Sequence, residues 1–136
     1  MSTKVPSFVL ELPSELASVP RARAMLAETA ARWGCPPQVV QDACLVLTEL
    51  LSNGVVHART GLRAVAVPTG AGIRLEVHDS SPLPLLPRLG AHEPLSANGR
   101  GLVIVAALAS SWGCSQDADQ GKVVWAEIAA QPRGEQ

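Results

Sequence analysis

The sequence predicts a single α/β domain, and three observations carry that expectation. Two segments of helical periodicity, residues 19–33 and 37–58, follow an extended N-terminal run; a hairpin signature covers residues 62–78; and two further β-type runs follow a short apolar helix near the C-terminus. At 136 residues, 47% hydrophobic and 17% charged, the chain is long enough to bury one core without disulfides or a structural metal. Its formal charge of −1 gives no bulk electrostatic case for direct contact with nucleic acid or an anionic membrane, so any anion site must be local.

Each element has a local reason. Residues 5–12 have strand composition interrupted by Pro6, which fits an edge strand, and Pro13-Ser14 ends it. In residues 19–33, Ala22, Met25, Leu26, Thr29, Ala30 and Trp33 recur at spacings of three and four, and Gly34 with Pro36-Pro37 supplies the stop. Pro37 suits the first turn of the next helix, where its missing N–H would be unpaired anyway. Runs 62–68 and 72–78 flank Thr69-Gly70-Ala71 and read as an antiparallel hairpin. Residues 80–98 hold four prolines and little periodicity, the character of a functional loop or lid. A short apolar helix over 101–110 and strands over 112–115 and 122–129 complete the domain. Its ordered part is expected to run from about residue 5 to about residue 130, with frayed ends.

Cys35, Cys44 and Cys114 form neither a CxxC nor a Cys/His zinc spacing, and their odd number does not suit a secreted disulfide framework. The N-terminus lacks the apolar core of a signal peptide, and no apolar run approaches the roughly 18 residues of a membrane span. A cytoplasmic protein is the expectation.

Candidate chemistry gathers on the second helix. Glu49, Asn53 and His57 are spaced by four and climb one side of it, with Asp42 projecting into the same sector. The opposite arc, Ala43, Cys44, Leu47, Leu50, Leu51, Gly54 and Val55, is expected to make the core face. Leu45, Val46 and Val56 would then flank the polar stripe, which suggests a cover over it. A carboxamide oxygen can ligate Mg²⁺, and a carboxylate one turn away can take a proton from a hydroxyl or water. The same three residues would also serve as a solvated helix face.

Two further sites complete the constellation. Asp79 lies where the hairpin gives way to Ser80-Ser81-Pro82, a place for a ligand-binding carboxylate or for an Asx-type turn. His78 reads as a strand side chain. Asn98-Gly99-Arg100-Gly101-Leu102 leads straight into the apolar helix, so free backbone N–H groups there could meet phosphate oxygens. It is not a Walker A loop, and a Gly-rich helix start is a weak signal by itself.

In order and separation, Glu49-Leu50-Leu51-Ser52-Asn53-Gly54-Val55-Val56-His57, Asp79-Ser80-Ser81-Pro82, Gly99-Arg100-Gly101-Leu102, Trp112-Gly113 and Gly121-Lys122-Val123-Val124-Trp125-Ala126-Glu127 resemble the histidine-kinase-like (GHKL) ATPase domain. More narrowly the chain is similar to small stand-alone bacterial proteins related to anti-sigma-factor serine/threonine kinases. The resemblance implies a two-layer α/β sandwich in which helices cover one face of a mixed, largely antiparallel sheet, with an ATP lid between the hairpin and the third helix. It implies ATP and Mg²⁺ as cofactors, Glu49 as general base, Asn53 as metal ligand and Asp79 as the adenine contact. Gly99 and Gly101 would approach the phosphates, with His57 and Arg100 as further phosphate contacts and Ser81 and Leu102 within the same binding segments. Two positions depart from the family pattern. Ser81 stands where a glycine is expected, and Val123 stands where a threonine often follows Gly-Lys, which would remove a hydroxyl near the base.

The activity so implied is transfer of the ATP γ-phosphoryl to a serine or threonine of an antagonist protein, with a sigma factor and that antagonist as partners and a homodimer left open. The alternatives are a non-catalytic module in which ATP orders the segment 82–94, and an interaction domain whose stripe is surface only.

Overall fold

The computed structural model describes residues 7–57, 61–70, 72–79, 101–117 and 121–130, leaving aside the side chains of residues 56, 57, 101, 102, 116 and 117. The elements run β1 (Phe8–Leu12), α1 (Ser18–Arg32), α2 (Pro37–His57), β2 (Leu62–Thr69), β3 (Gly72–Asp79), α3 (Gly101–Leu108), β4 (Ser111–Asp117) and β5 (Gly121–Ile128). The expected lid, 80–98, lies outside the described residues, as do the first two residues of the expected N-terminal strand.

The strands form one sheet in the order β1-β2-β3-β5-β4, and every pairing is antiparallel. Alternation divides its side chains between two faces. Along β3, Ile73, Leu75, Val77 and Asp79 are buried while Arg74, Glu76 and His78 are only partly so. Their partners keep the phase: Leu62, Ala64 and Ala66 on β2, and Val124, Ala126 and Ile128 on β5, join the buried face. The three helices cover that face, giving the two-layer α/β sandwich that the resemblance implies, with a sheet that is antiparallel throughout the described strands and not mixed. Leu26, Leu47, Leu51, Leu62, Ile73, Leu75 and Ile128 are the large side chains fully enclosed between the layers.

Helix boundaries follow from backbone hydrogen bonding. α1 ends in a Schellman motif: Gly34 adopts φ 81°, its N–H donates to Ala31 and that of Cys35 donates to Ala30. α3 stops at Leu108, two residues earlier than expected, because the Ser110 N–H and hydroxyl both donate to the Glu127 carbonyl and draw the chain onto β5.

The sheet's other face carries a polar cluster. Arg74 Nη1 is 3.0 Å from Glu127 Oε2, its Nε donates to Glu76 at 3.0 Å, and His78 Nε2 is 2.7 Å from Glu76 Oε1. The Arg74 guanidinium also lies 4.6 Å from the Trp125 ring centroid. Gly113 makes room for that indole, since a Cβ there would lie 3.0 Å from Trp125 Cζ2.

Candidate functional site

α2 is the central helix: it packs against α1 and α3 and lies over β2, β3 and β5. Its buried arc is wider than the core face read from the sequence. At about 100° per residue, Val46 projects only about 20° from Asn53 and Leu50 about 60° from it. Val46 is 0% exposed, Val39 and Leu50 are buried, and Asn53 itself is only 6% exposed. Val46 therefore belongs to the core and does not flank a polar stripe, contrary to the sequence-based expectation. The stripe runs along the core margin, with α2 packed against α1, α3 and the sheet.

That placement separates the stripe's members. Asn53 is buried, and neither its Oδ1 nor its Nδ2 finds a hydrogen-bond partner among the described residues. Glu49, one turn earlier, is half-buried. Asp42 lies 11 residues before Asn53, about 16 Å along the axis at 1.5 Å per residue. It accepts a hydrogen bond from Gln38 Nε2 at 2.9 Å and so belongs to the helix surface. His57 is the last residue of α2, and its side chain lies outside the described residues.

Asp79 meets the stripe from the opposite layer. It is the last residue of β3, only 8% exposed, and its position in the alternation turns it to the helix-covered face. Across β2 its register partner is Leu62, and a Cβ on Gly54 would lie 3.1 Å from Leu62 Cδ2. The turn of α2 that bears Asn53 and Gly54 thus closes onto the end of the sheet that bears Asp79. Two buried polar side chains, one from each layer, lie at the same end of the sandwich.

Of the remaining expected contacts, Gly101 is the first residue of α3 and Leu102 the second, its side chain outside the described residues. Ser81, Gly99 and Arg100 also lie outside them. Val123 requires a correction. It pairs with His78 and shares that residue's face, away from the helices, so its lack of a hydroxyl does not bear on a base held at Asp79. The residue opposite Asp79 on β5 is Lys122, which sequence reasoning passed over. Counting alternate positions back from the buried Ile128 and Ala126 is the signal that could have found it.

A groove of about 740 Å³ runs between α1 and α2 and is lined by Ala24, Ala27, Ala31, Cys35, Val40, Cys44 and Leu45, with Arg23 and Gln41 as polar members. Burial pushes up the thiols of both Cys35 and Cys44, in Cys44 against an opposing pull from Arg23, so neither is a poised nucleophile. Asn53 and Asp79, both buried, lie at the other candidate place, where α2 closes onto the end of β2 and β3.

Fold and residue placement together give an α/β sandwich with two buried polar side chains, Asn53 and Asp79, at one end of the sheet. Residues 12–128 match the histidine kinase-like ATPase domain, and the chain belongs to that family. Membership supports an ATP-binding regulatory function and ATP-dependent kinase or ATPase activity. No curated protein matches the chain. Among the described residues no helix is long and apolar enough to cross a membrane.

Domains of this family bind ATP, typically with Mg²⁺, and the residues present fit that group. A buried carboxamide without partners is costly unless a ligand completes it. Mg²⁺ commonly takes one or two protein oxygens, the rest of its shell coming from phosphates and water, so a single oxygen from Asn53 is a sufficient donor.

Proposed function

We propose that this protein is a Mg²⁺-ATP-binding regulator of the anti-sigma-factor kinase type, which phosphorylates a serine or threonine of an antagonist protein and also binds a sigma factor. The observation that carries the reading is Asn53: a buried side chain on the central helix whose two polar atoms find no partner among the described residues. On this reading Asn53 Oδ1 holds the cation and Asp79 accepts a hydrogen bond from the adenine amino group. Gly99 and Gly101 let the backbone approach the phosphates, and His57, Ser81, Arg100 and Leu102 line the nucleotide.

Bound Mg²⁺-ATP supplies the transferable phosphoryl group and the charge neutralisation that its transfer requires. Glu49 supplies the base. One turn from Asn53, its carboxylate takes the proton of the substrate hydroxyl as that oxygen bonds to the γ-phosphorus and the bond to the β-phosphate oxygen breaks, leaving ADP. Glu49 is only half-buried, which supports this role.

Incubation with γ-labelled ATP and candidate antagonist proteins tests the proposal. Label should appear on an antagonist serine or threonine with the wild type and be lost with Glu49→Ala, while Glu49→Ala still binds ATP. Transfer by the wild type no better than by the variant removes Glu49 as the base. ATP bound and recovered intact in the presence of the antagonist replaces the kinase with an ATP-gated binding module.

A further inference from the structure

The end of the sheet that bears Asp79 bears a second charged side chain. β3 and β5 are antiparallel neighbours with Asp79 directly opposite Lys122. Side chains so opposed stand on the same face, with Cβ atoms about 5 Å apart. That face is the helix-covered one: two and four residues beyond Lys122 come Val124, packed against the core, and Ala126, buried within it. Lys122 is itself half-buried. The thiol of Cys114, the β4 partner of Val124, is pushed up by burial, against an opposing pull from the nearby Lys122 ammonium. A carboxylate-bearing and an ammonium-bearing side chain therefore start from directly opposed positions at the end where Gly54 of α2 closes onto Leu62.

A lone carboxylate reads only a donor. Adenine presents its amino donor between two ring-nitrogen acceptors, N1 and N7, so a carboxylate beside an ammonium matches two adjacent atoms of that edge. We propose that Lys122 is a base-reading residue: its ammonium donates to a ring nitrogen flanking the amino group that Asp79 accepts from, so the pair recognises a 6-aminopurine as a donor and acceptor together. The inference rests on the ATP reading above and adds the residue that sets base specificity. The competing disposition is a lysine whose stem covers apolar surface while its tip stays in water. In that case the ammonium contributes nothing to the base.

Calorimetric titration separates the two. Wild-type protein is titrated with the Mg²⁺ complexes of ATP, 1-deaza-ATP and 7-deaza-ATP, and the series is repeated on Lys122→Met, which keeps an unbranched apolar stem and removes the ammonium. One of the two deaza analogues should bind the wild type roughly ten-fold more weakly than ATP, the size of one charge-assisted hydrogen bond. Lys122→Met should bind ATP weaker by the same factor and no longer distinguish ATP from that analogue. The wild-type series stands alone if the variant folds poorly: equal affinity for all three nucleotides overturns the inference. So does a Lys122→Met loss that is undiminished with both analogues, which would put the ammonium on another part of the nucleotide. Wild-type protein that binds ATP, with Lys122→Met binding it equally, overturns this inference alone, whereas wild-type protein that binds no nucleotide overturns the ATP reading with it.

Discussion

Replacing Asn53 by leucine should make the nucleotide-free protein more stable while removing its response to Mg²⁺-ATP. Asn53 is 6% exposed, and both polar atoms of its side chain are buried without partners among the described residues. A buried polar group left unsatisfied costs about 1–3 kcal/mol, and an apolar side chain of similar size removes that penalty. Val46 and Leu50, buried on the same side of α2, provide surroundings suited to a leucine. Asn53→Leu should therefore raise the unfolding free energy by about 1–3 kcal/mol; with a urea slope of about 1–3 kcal/mol/M, the midpoint moves up by roughly 1 M. Adding Mg²⁺-ATP at about a hundred times its Kd should stabilise the wild type by about 2.7 kcal/mol and the variant hardly at all. The order of stabilities is thus expected to narrow or reverse when nucleotide is added. Urea titrations of both proteins with and without Mg²⁺-ATP read this directly. A variant less stable than the wild type without nucleotide, and stabilised by it to the same extent, would refute the reasoning.

Two other predictions concern the scaffold. Gly72 is packed so closely on β5 that an added Cβ would meet the Ile128 carbonyl oxygen well inside contact distance, and backbone cannot swing aside as a side chain can. Gly72→Ala should therefore destabilise by about 1–3 kcal/mol in chemical denaturation, the range of overpacked cores, with the β3–β5 amides losing hydrogen-exchange protection first. Glu76 gives a pH dependence. Burial would raise its carboxyl, but the hydrogen bonds and charges of His78 and Arg74 outweigh burial and hold it below the ordinary carboxylate value. A depressed folded value contributes stability that is fully present above the unfolded value of about 4.3 and lost as pH falls through the folded one. Glu76→Gln should accordingly lower stability at neutral pH by less than about 1 kcal/mol, as expected for a partly exposed pair, and flatten the acid side of the stability profile. An unchanged acid limb would show that Glu76 does not contribute to it.

Local chemistry made the helices and the hairpin legible. Gly34 and Pro37 mark a helix end and a helix start that need no tertiary information, and Thr69-Gly70 marks a turn between two strand-like runs. Asn53 and Asp79 could be selected as candidates from residue type and spacing, yet their burial could not. It depends on what the tertiary fold packs over α2, which also buries Val46, about 20° around the helix from Asn53. The clearest gap is at β5. Val123 and Lys122 are adjacent in the chain, and which of them faces Asp79 depends on the register between β3 and β5, strands separated by more than 40 residues of sequence. A slip of one residue exchanges the two faces, and no local propensity settles it. The end of α3 is set in the same non-local way, because Ser110 donates the hydrogen bonds that stop it to the Glu127 carbonyl on β5.

Replacing Mg²⁺ by paramagnetic Mn²⁺ in the ATP complex tests the location of the bound nucleotide most directly. Nuclear relaxation then reports distance from the cation to each amide. Mn²⁺-ATP should broaden the Asn53 side-chain amide and the backbone amide of Gly101 beyond detection, while Gly70 at the hairpin turn and Ala27 on α1 stay sharp. Broadening centred on Ala27 and Ala31 in the groove between α1 and α2, with Asn53 unaffected, would contradict the account.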